Sequence, residues 1–334
     1  DNLAGITTTP SEEEDIMSTT ETTALLGTIA DRLLVVSDAL TTGKEGVKFD
    51  GDVIARLRSI ESKLDALAGY EVLGGRGNAL ETCRMETSRA GAVLVEAEES
   101  RIVDCLIASI EDVGISLIEA RRSRLERNRL GPSAGDGVRF AGGRENAFVD
   151  GRLSRCRNAG IRLDASDANL IARNRVSDSG TGIALTRSSE NRLLGNTMVR
   201  TNTTGILLAE AHRNRLLDNR VADSASGVVL AGAIENSVLR GVIGDCRLSG
   251  IVLANHCQGN EVIENAVSGT AVGILAATSS RDTIQGNRVW DCDVGVGLYA
   301  PGFGVRVVGN RLAGNEVGLR WQEALRDRAT VLPS

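Results

Sequence analysis

Hydrophobic and polar positions repeat along most of the chain with a period of 22 or 23 residues, and each repeat opens with glycine. Aliphatic residues follow this glycine at alternate positions, as Ile183 and Leu185 follow Gly182. Alternation with a period of two predicts a β-strand that turns one face towards a core. Gly69 opens the first repeat, and the later glycines are Gly91, Gly114, Gly137, Gly160, Gly182, Gly205, Gly227, Gly250, Gly273, Gly295 and Gly318.

The middle of most repeats carries asparagine, with a large apolar residue three positions before it and another two positions after it. Leu193 and Met198 flank Asn196 in this way. Because side chains on a continuous strand alternate, both apolar residues reach one core only if the chain bends between them. Asparagine and glycine tolerate left-handed backbone, and Gly151 and Gly241 replace asparagine in two repeats. The pattern therefore predicts a left-handed bend at this position.

Each repeat is thus a coil of about three short strands, too small to bury its own apolar face. Stacked coils bury these faces together, since each strand pairs with its equivalents in the neighbouring coils. We predict an all-β solenoid over residues 69–321, a right-handed parallel β-helix of about ten to eleven coils spaced about 4.8 Å apart. A leucine-rich repeat has a similar period, but the second and third segments here are as β-like as the first.

The pattern G-I-x-L … N-x-L-x-x-N-x-V, as in GIALTRSSENRLLGNTMV, resembles the right-handed parallel β-helix repeat family with the pectin-lyase-like fold, particularly NosD-like repeats. The resemblance covers residues 69–321 and implies the same fold. It leaves function open, because this family includes polysaccharide lyases, hydrolases and epimerases, phage tailspikes and non-catalytic modules.

Residues 18–68 follow a different period, with two apolar stripes spaced three and four residues apart that predict two helices. These helices either cap the open first coil or pair with copies from other chains. We expect self-association, as a trimer with a dimer as the alternative. Residues 1–17 are expected to form a flexible acidic tail, and residues 322–334 a C-terminal cap or tail. The stripes are Leu26, Ile29, Leu33, Val36 and Leu40, then Leu57, Ile60, Leu64 and Leu67.

The composition of the chain argues against nucleic acid, a membrane or a metal ion as a partner. The net charge of −6 gives no electrostatic footprint for nucleic acid, and no apolar run of the length that spans a membrane occurs. Six cysteines without a C-x-x-C pair, together with only two histidines, argue against a metal site, and we predict no cofactor. No signal peptide is visible, and free thiols favour a cytoplasmic origin, although the sequence does not fix the location.

Three cysteines (Cys156, Cys246 and Cys292) share one column that other coils fill with serine or threonine. A free cysteine suits such a column as a compact apolar side chain. Cys105 falls on the asparagine column. We predict that all four cysteines are packing residues.

Arginine directly follows the mid-repeat position in several coils, and Arg129, Arg152 and Arg175 do so in three consecutive coils. Each precedes an inward residue, so the three should point outwards about 4.8 Å apart and could bind an acidic polysaccharide through its carboxylates. The alternative, which the sequence favours, is a solvated face with its own counter-ions. The proposed counter-ions lie three residues after an arginine of this column and are Asp178, Asp223 and Asp291.

Aromatic residues amount to only 2% of the chain and concentrate around the turn YAPGFG. Trp290 and Tyr299 are the candidate ligand-binding residues there, because sugar sites often contain aromatic platforms. A widened turn plugged by aromatic side chains explains them equally well.

The resemblance also implies motifs that this chain lacks. It has no Asp-Pro-His-Asp, no adjacent aspartates and no His-Gly, and the nearest imitation of a lyase centre is Asp164 and Asp167 with Arg173. We name no catalytic residue. We expect a non-catalytic structural or adhesive component of a larger assembly, such as a spike or surface appendage. The alternative is a polysaccharide-binding or polysaccharide-degrading protein, either a lyase or a glycoside hydrolase.

Overall fold

The computed structural model of the chain describes residues 69–321 and 329–331. These residues belong to the second of two units, residues 1–66 and 67–334, into which the chain divides. The predicted acidic tail, the two predicted helices and most of the predicted C-terminal cap lie outside the described residues. The predicted solenoid lies within them.

The described chain forms a right-handed parallel β-solenoid of about eleven coils, which confirms the predicted fold. Three parallel sheets run along it, and up to residue 308 successive strands of the chain enter the first, second and third sheet in turn. The first sheet contains β1 (Tyr70–Leu73), β4 (Ala92–Val95), β7 (Ile115–Ile118), β10 (Val138–Ala141), β13 (Ala159–Asp164), β16 (Thr181–Thr186), β19 (Thr204–Ala209), β22 (Ser226–Ala231), β25 (Ser249–Ala254), β28 (Val272–Ala277), β31 (Val294–Tyr299) and β33 (Val317–Trp321).

The second and third sheets consist mainly of three-residue strands. The second contains β2 (Ala79–Glu81), β5 (Arg101–Val103), β8 (Arg124–Glu126), β11 (Ala147–Val149), β14 (Leu170–Ala172), β17 (Arg192–Leu194), β20 (Arg215–Leu217), β23 (Ser237–Leu239), β26 (Glu261–Ile263), β29 (Thr283–Gln285), β32 (Val305–Val308) and β34 (Ala329–Val331). The third contains β3 (Arg84–Glu86), β6 (Leu106–Ala108), β9 (Arg129–Leu130), β12 (Arg152–Ser154), β15 (Arg175–Ser177), β18 (Thr197–Val199), β21 (Arg220–Ala222), β24 (Val242–Gly244), β27 (Ala266–Ser268) and β30 (Arg288–Trp290).

The core is a set of aliphatic columns that the register stacks one coil above another. Ile183 pairs with Ile206 in the first sheet, Leu193 with Leu216 in the second and Met198 with Val221 in the third. The inward residues of these strands are almost completely buried. Repeat spacing therefore places equivalent apolar residues in contact, and each coil completes the core of the next.

The glycine that opens each repeat lets neighbouring coils approach closely. A Cβ atom added at Gly182 would lie 2.3 Å from the carbonyl oxygen of Gly205 and 2.4 Å from Cγ of Met198. Both distances are shorter than any normal contact, so only glycine fits between the first sheet and the next coil. This close approach explains the most regular feature of the sequence.

The bend in mid-repeat occurs where the pattern predicts it, but the prediction of the left-handed residue was wrong by one position. The left-handed residue precedes the asparagine, as at Arg127 (φ 52°), Arg173 (φ 54°) and Asp218 (φ 56°). The asparagine itself is needed for hydrogen bonds. Oδ1 of Asn219 accepts from the backbone N–H of Asn196 at 2.9 Å, and Nδ2 of Asn196 donates to the Ile171 carbonyl at 2.8 Å.

A second amide ladder runs along the turn between the first and second sheets. Its asparagines are buried, and each side-chain oxygen accepts from the backbone of the preceding coil, as Asn214 accepts from the Asn191 N–H at 2.9 Å. Burying these amides costs little because the neighbouring coils supply their partners. The ladder comprises Asn146, Asn169, Asn191, Asn214, Asn236 and Asn260, and it ends at Asp282.

All six cysteines are free, and the four predicted to be packing residues are buried in the core cluster. Burial raises the pKa of the Cys156 thiol to about 12 and that of the Cys246 thiol to about 11. A thiol that stays protonated is a poor nucleophile and a poor metal ligand. The packing role predicted for this column is confirmed.

Candidate binding surface on the third sheet

Arg129, Arg152 and Arg175 occupy the first, outward-facing position of three adjacent strands, β9, β12 and β15. The register pairs Arg152 with Arg129 on one side and with Arg175 on the other. All three side chains are exposed. Adjacent strands lie about 4.8 Å apart, so the three form a straight row along the solenoid axis. We call this row the arginine ladder.

The counter-ions expected for this column do not neutralise the arginine ladder. Asp178 pairs with Arg200, whose Nε lies 2.6 Å from its Oδ1 and whose Nη2 lies 3.0 Å from its Oδ2. Asp223 and Asp291 form no ion pair within residues 69–321. In the same part of the chain, no carboxylate lies within ion-pair distance of the arginine ladder. The predicted counter-ion role of Asp178 is therefore wrong, and the choice between a solvated face and a ligand-binding face stays a prediction.

Two carboxylates do lie beside the arginine ladder, but other arginines bind them. A groove of about 510 Å³ is lined by Asp104 and Asp150 together with Arg127, Arg129 and Arg152. Arg127 makes two hydrogen bonds to Asp104, at 2.8 and 2.7 Å. This contact lowers the pKa of the Asp104 carboxyl below its ordinary value. Within residues 69–321, Arg129 and Arg152 therefore face the groove without an ion pair to a carboxylate.

The same arrangement recurs one coil further along. Arg173 makes two 2.8 Å hydrogen bonds to Asp150, and this contact lowers the pKa of the Asp150 carboxyl. Aspartate and arginine thus alternate along the turn between the second and third sheets. Our sequence interpretation overlooked this alternation, although it is visible as opposite charges 23 residues apart, just before the mid-repeat position.

The structure places the two candidate aromatic residues in different sheets. Trp290 ends β30 in the third sheet, and the guanidinium carbon of Arg288 lies 5.1 Å from its ring centroid. Arg288, Trp290 and Arg311 line a second groove, of about 250 Å³. Tyr299 ends β31 in the first sheet, where its ring lies close to Gly297. Ligand binding by either aromatic residue stays a prediction.

The three residues that come nearest to a lyase centre in the sequence lie apart in the structure. Asp164 pairs with Arg139 at 3.4 Å on the first sheet, whereas Arg173 is held by Asp150 in the turn before the third sheet. Asp167 accepts a hydrogen bond from the backbone N–H of Ser189 at 2.7 Å. These residues do not form one site.

The described residues contain neither a cluster of metal-binding side chains nor a membrane-spanning helix. No group of three or more His, Cys, Asp or Glu side chains converges there in a way that could hold a metal ion. The same residues include no helix with the length and apolar character that crossing a membrane requires.

Solved structures share this architecture at low sequence identity. The Dettilon tailspike protein superposes with a TM-score of 0.60 and 12% identity, over 86% of this chain and 68% of the tailspike chain. The A-module of a mannuronan C-5 epimerase from Azotobacter vinelandii gives a TM-score of 0.59 and 12% identity, over 80% of both chains. At such identities the likeness shows the fold alone. No curated protein matches the sequence.

The family comparison agrees with the fold. Residues 91–240 and 136–289 match the family described as "Right handed beta helix region". The two matches overlap and together cover more than half of the 334 residues. The chain therefore belongs to the right-handed β-helix family.

Proposed function

We propose that this protein is a non-catalytic adhesive component of a larger assembly and that its arginine ladder binds an acidic polysaccharide. The observation that carries this proposal is the row of three exposed guanidinium groups, Arg129, Arg152 and Arg175, which form no ion pair within residues 69–321. Exposed arginines on a protein surface are commonly isolated from one another and surrounded by water. Here the fold aligns three of them at a regular spacing and assigns the nearby carboxylates to other partners.

A repeating polyanion suits this geometry better than a single small anion does. Each guanidinium can donate two parallel hydrogen bonds to one carboxylate. Rungs about 4.8 Å apart present such a donor repeatedly along one line. A polymer with a carboxylate on successive sugar units could therefore engage several rungs at once, and its affinity would rise through multivalency. The shared fold of a tailspike and a mannuronan epimerase is in keeping with a polysaccharide-related role.

A polysaccharide lyase or glycoside hydrolase is the second candidate. A glycosidase needs one carboxyl group whose raised pKa keeps it protonated as a general acid. Beside the arginine ladder, the pKa values of Asp104 and Asp150 are lowered by Arg127 and Arg173 instead. These carboxylates therefore suit a structural role, and we favour binding without turnover.

We further propose that the protein self-associates through residues 18–68, as a trimer or alternatively a dimer. The support is the pair of apolar stripes in the sequence, which lie outside the described residues. An assembly of several copies would present several arginine ladders to one polymer.

Binding is tested with the full chain, polymannuronate as the acidic probe and dextran as the neutral one. In the variant Arg129→Ala, Arg152→Ala, Arg175→Ala we expect about tenfold weaker binding to polymannuronate. Three exposed ion pairs contribute roughly 1.5 kcal/mol together. Added salt should weaken binding by the parent because the contacts are exposed.

The matched control removes the same charge from another face. Arg192, Arg215 and Arg306 are exposed, outward-facing residues of the second sheet, and none forms an ion pair within residues 69–321. Their triple alanine variant should bind within twofold of the parent. Equal losses of affinity in the two variants would show that net charge, and not the arginine ladder, governs binding. Absence of binding by the parent would contradict the proposal.

A further inference from the structure

The outer face of the first sheet is uncharged over four consecutive strands, β19, β22, β25 and β28. Its outward positions hold one column of branched aliphatic residues, a second column of alanines and a third of small or β-branched residues. All lie opposite the buried residues of the same strands, such as Ile206 and Leu208. We call this surface the apolar face; it comprises Leu207, Val229, Val252 and Leu275, then Ala209, Ala231, Ala254 and Ala277, then Thr204, Ser226, Ser249 and Val272.

Charged residues mark the two ends of this sheet surface. Arg162 and Asp164 occupy the outward positions of β13 on one side, and Arg320 occupies an outward position of β33 on the other. Over the same coils, the outward positions of the second sheet include the charged residues Arg215 and Glu261. Apolar outward residues on a parallel sheet are typical of a sheet covered on both faces. A contiguous apolar surface of this kind marks an interaction site.

The order of residues along the main column is the same in both directions. Leu207, Val229, Val252 and Leu275 read Leu-Val-Val-Leu from either end, and the register stacks them directly. A two-fold axis along the strands, between β22 and β25, would place Leu207 opposite Leu275 of a second copy and Val229 opposite Val252. The alanine column would face the alanine column of that copy. A two-fold interface requires this self-complementarity.

The size of the face indicates a weak contact. The four strands of the apolar face, about 4.8 Å apart, and five residue steps of about 3.3 Å give an area of about 19 by 17 Å, or roughly 320 Å² per copy. Two copies would bury about 650 Å² together, which is less than a stable interface buries, so we expect association only at high protein concentration. The alanine column presents no long side chain that would hold the two sheets apart.

We propose that a second copy of this chain packs face to face on the apolar face, with the two solenoid axes antiparallel. This contact is independent of the arginine ladder and of the association proposed for residues 18–68. It therefore goes beyond the proposed function, and loss of polysaccharide binding would leave it intact.

The test measures the mass of the full chain by sedimentation velocity over a range of concentrations. The parent should associate, and Val229→Lys with Val252→Lys should weaken that association at least tenfold, because each lysine would face another lysine across the interface. The matched control is Val242→Lys, which places the same substitution at an exposed valine (48% exposed) on the third sheet. This control should behave as the parent does. Circular dichroism should show that all variants retain the strand signal of the parent.

Two results would overturn the proposal. One is a parent that remains monomeric at the highest concentration. The other is unchanged association in the double lysine variant. A further variant, Leu33→Asp, separates the two proposed contacts because it disrupts the apolar stripe of residues 18–68. Association that is lost in Leu33→Asp and kept in the double lysine variant would belong to residues 18–68 alone.

Discussion

Asp282 is the last residue of the second amide ladder, in the turn between the first and second sheets, where the other coils have asparagine. Its Oδ1 accepts from the backbone N–H and from Nδ2 of Asn260, at 2.7 and 3.0 Å. Its Oδ2 is buried and makes no hydrogen bond within the described residues. In Asn260 the corresponding atom is Nδ2, which donates to the Ala233 carbonyl at 2.9 Å. Burial raises the pKa of Asp282, and the hydrogen bonds from Asn260 offset this effect only in part.

This carboxyl group should make stability depend on pH. Because its pKa is raised in the folded chain, its contribution is fully present below the ordinary pKa of 3.8 and is lost as pH rises through the folded value. We expect Asp282→Asn to stabilise the protein at pH 7 by about 1–3 kcal/mol, since the amide restores a donor to the ladder. The gain should shrink as pH falls towards 4. Urea unfolding at several pH values measures both effects.

The exposed Asp293 provides the control for this experiment. Asp293→Asn should change the free energy of unfolding by less than about 0.5 kcal/mol, as exposed substitutions usually do. A destabilised Asp282→Asn protein at pH 7 would show that the buried carboxylate has a favourable partner.

At the scale of the strand, opposite faces of one short segment should respond differently to the same substitution. In β20, Leu216 is 1% exposed and belongs to the core, whereas its neighbour Leu217 faces outwards and is half-buried. Leu216→Asp should prevent folding, because an unpaired buried charge costs several kcal/mol. Leu217→Asp should fold. Circular dichroism checks both, and a folded Leu216→Asp protein would contradict the register.

The turns show what sequence periodicity can and cannot predict. Apolar spacing around the mid-repeat asparagine located each bend, since two inward residues had to reach one core. It did not identify the left-handed residue, although Gly195, Gly286 and Gly309 occupy that position in three coils and glycine readily adopts left-handed backbone. Arg127 adopts left-handed backbone (φ 52°) while its side chain pairs with Asp104 one coil away.

The missed ion pairs have the same origin. Asp178 follows Arg175 by three residues, but Arg175 begins β15 and Asp178 lies in the turn after it. The neighbour of Asp178 along the solenoid axis is Arg200, 22 residues further on. Among the described residues, most ion pairs likewise join adjacent coils. The orientation of the arginine ladder could be predicted from the repeat, but its lack of counter-ions required the three-dimensional partners.

For the whole molecule, an acidic net charge and an anion-binding face are compatible. The net charge is −6, yet exposed charges act over a Debye length of about 8 Å at physiological ionic strength. Within that distance of Arg152, the other two rungs of the arginine ladder contribute positive charge, and Arg127 binds Asp104. Local charge should therefore govern binding, and remote carboxylates should matter little.

The most direct test of the account is whether the protein binds an acidic polysaccharide without cleaving it. The full chain is incubated with polymannuronate at concentrations where binding is measured. Reducing ends, unsaturated products and chain length are then followed over days. We predict binding that depends on Arg129, Arg152 and Arg175, with polymer length unchanged and no unsaturated product. Polymer shortening that disappears when carboxylates beside the arginine ladder, such as Asp104 and Asp150, are replaced would contradict the account and show an enzyme.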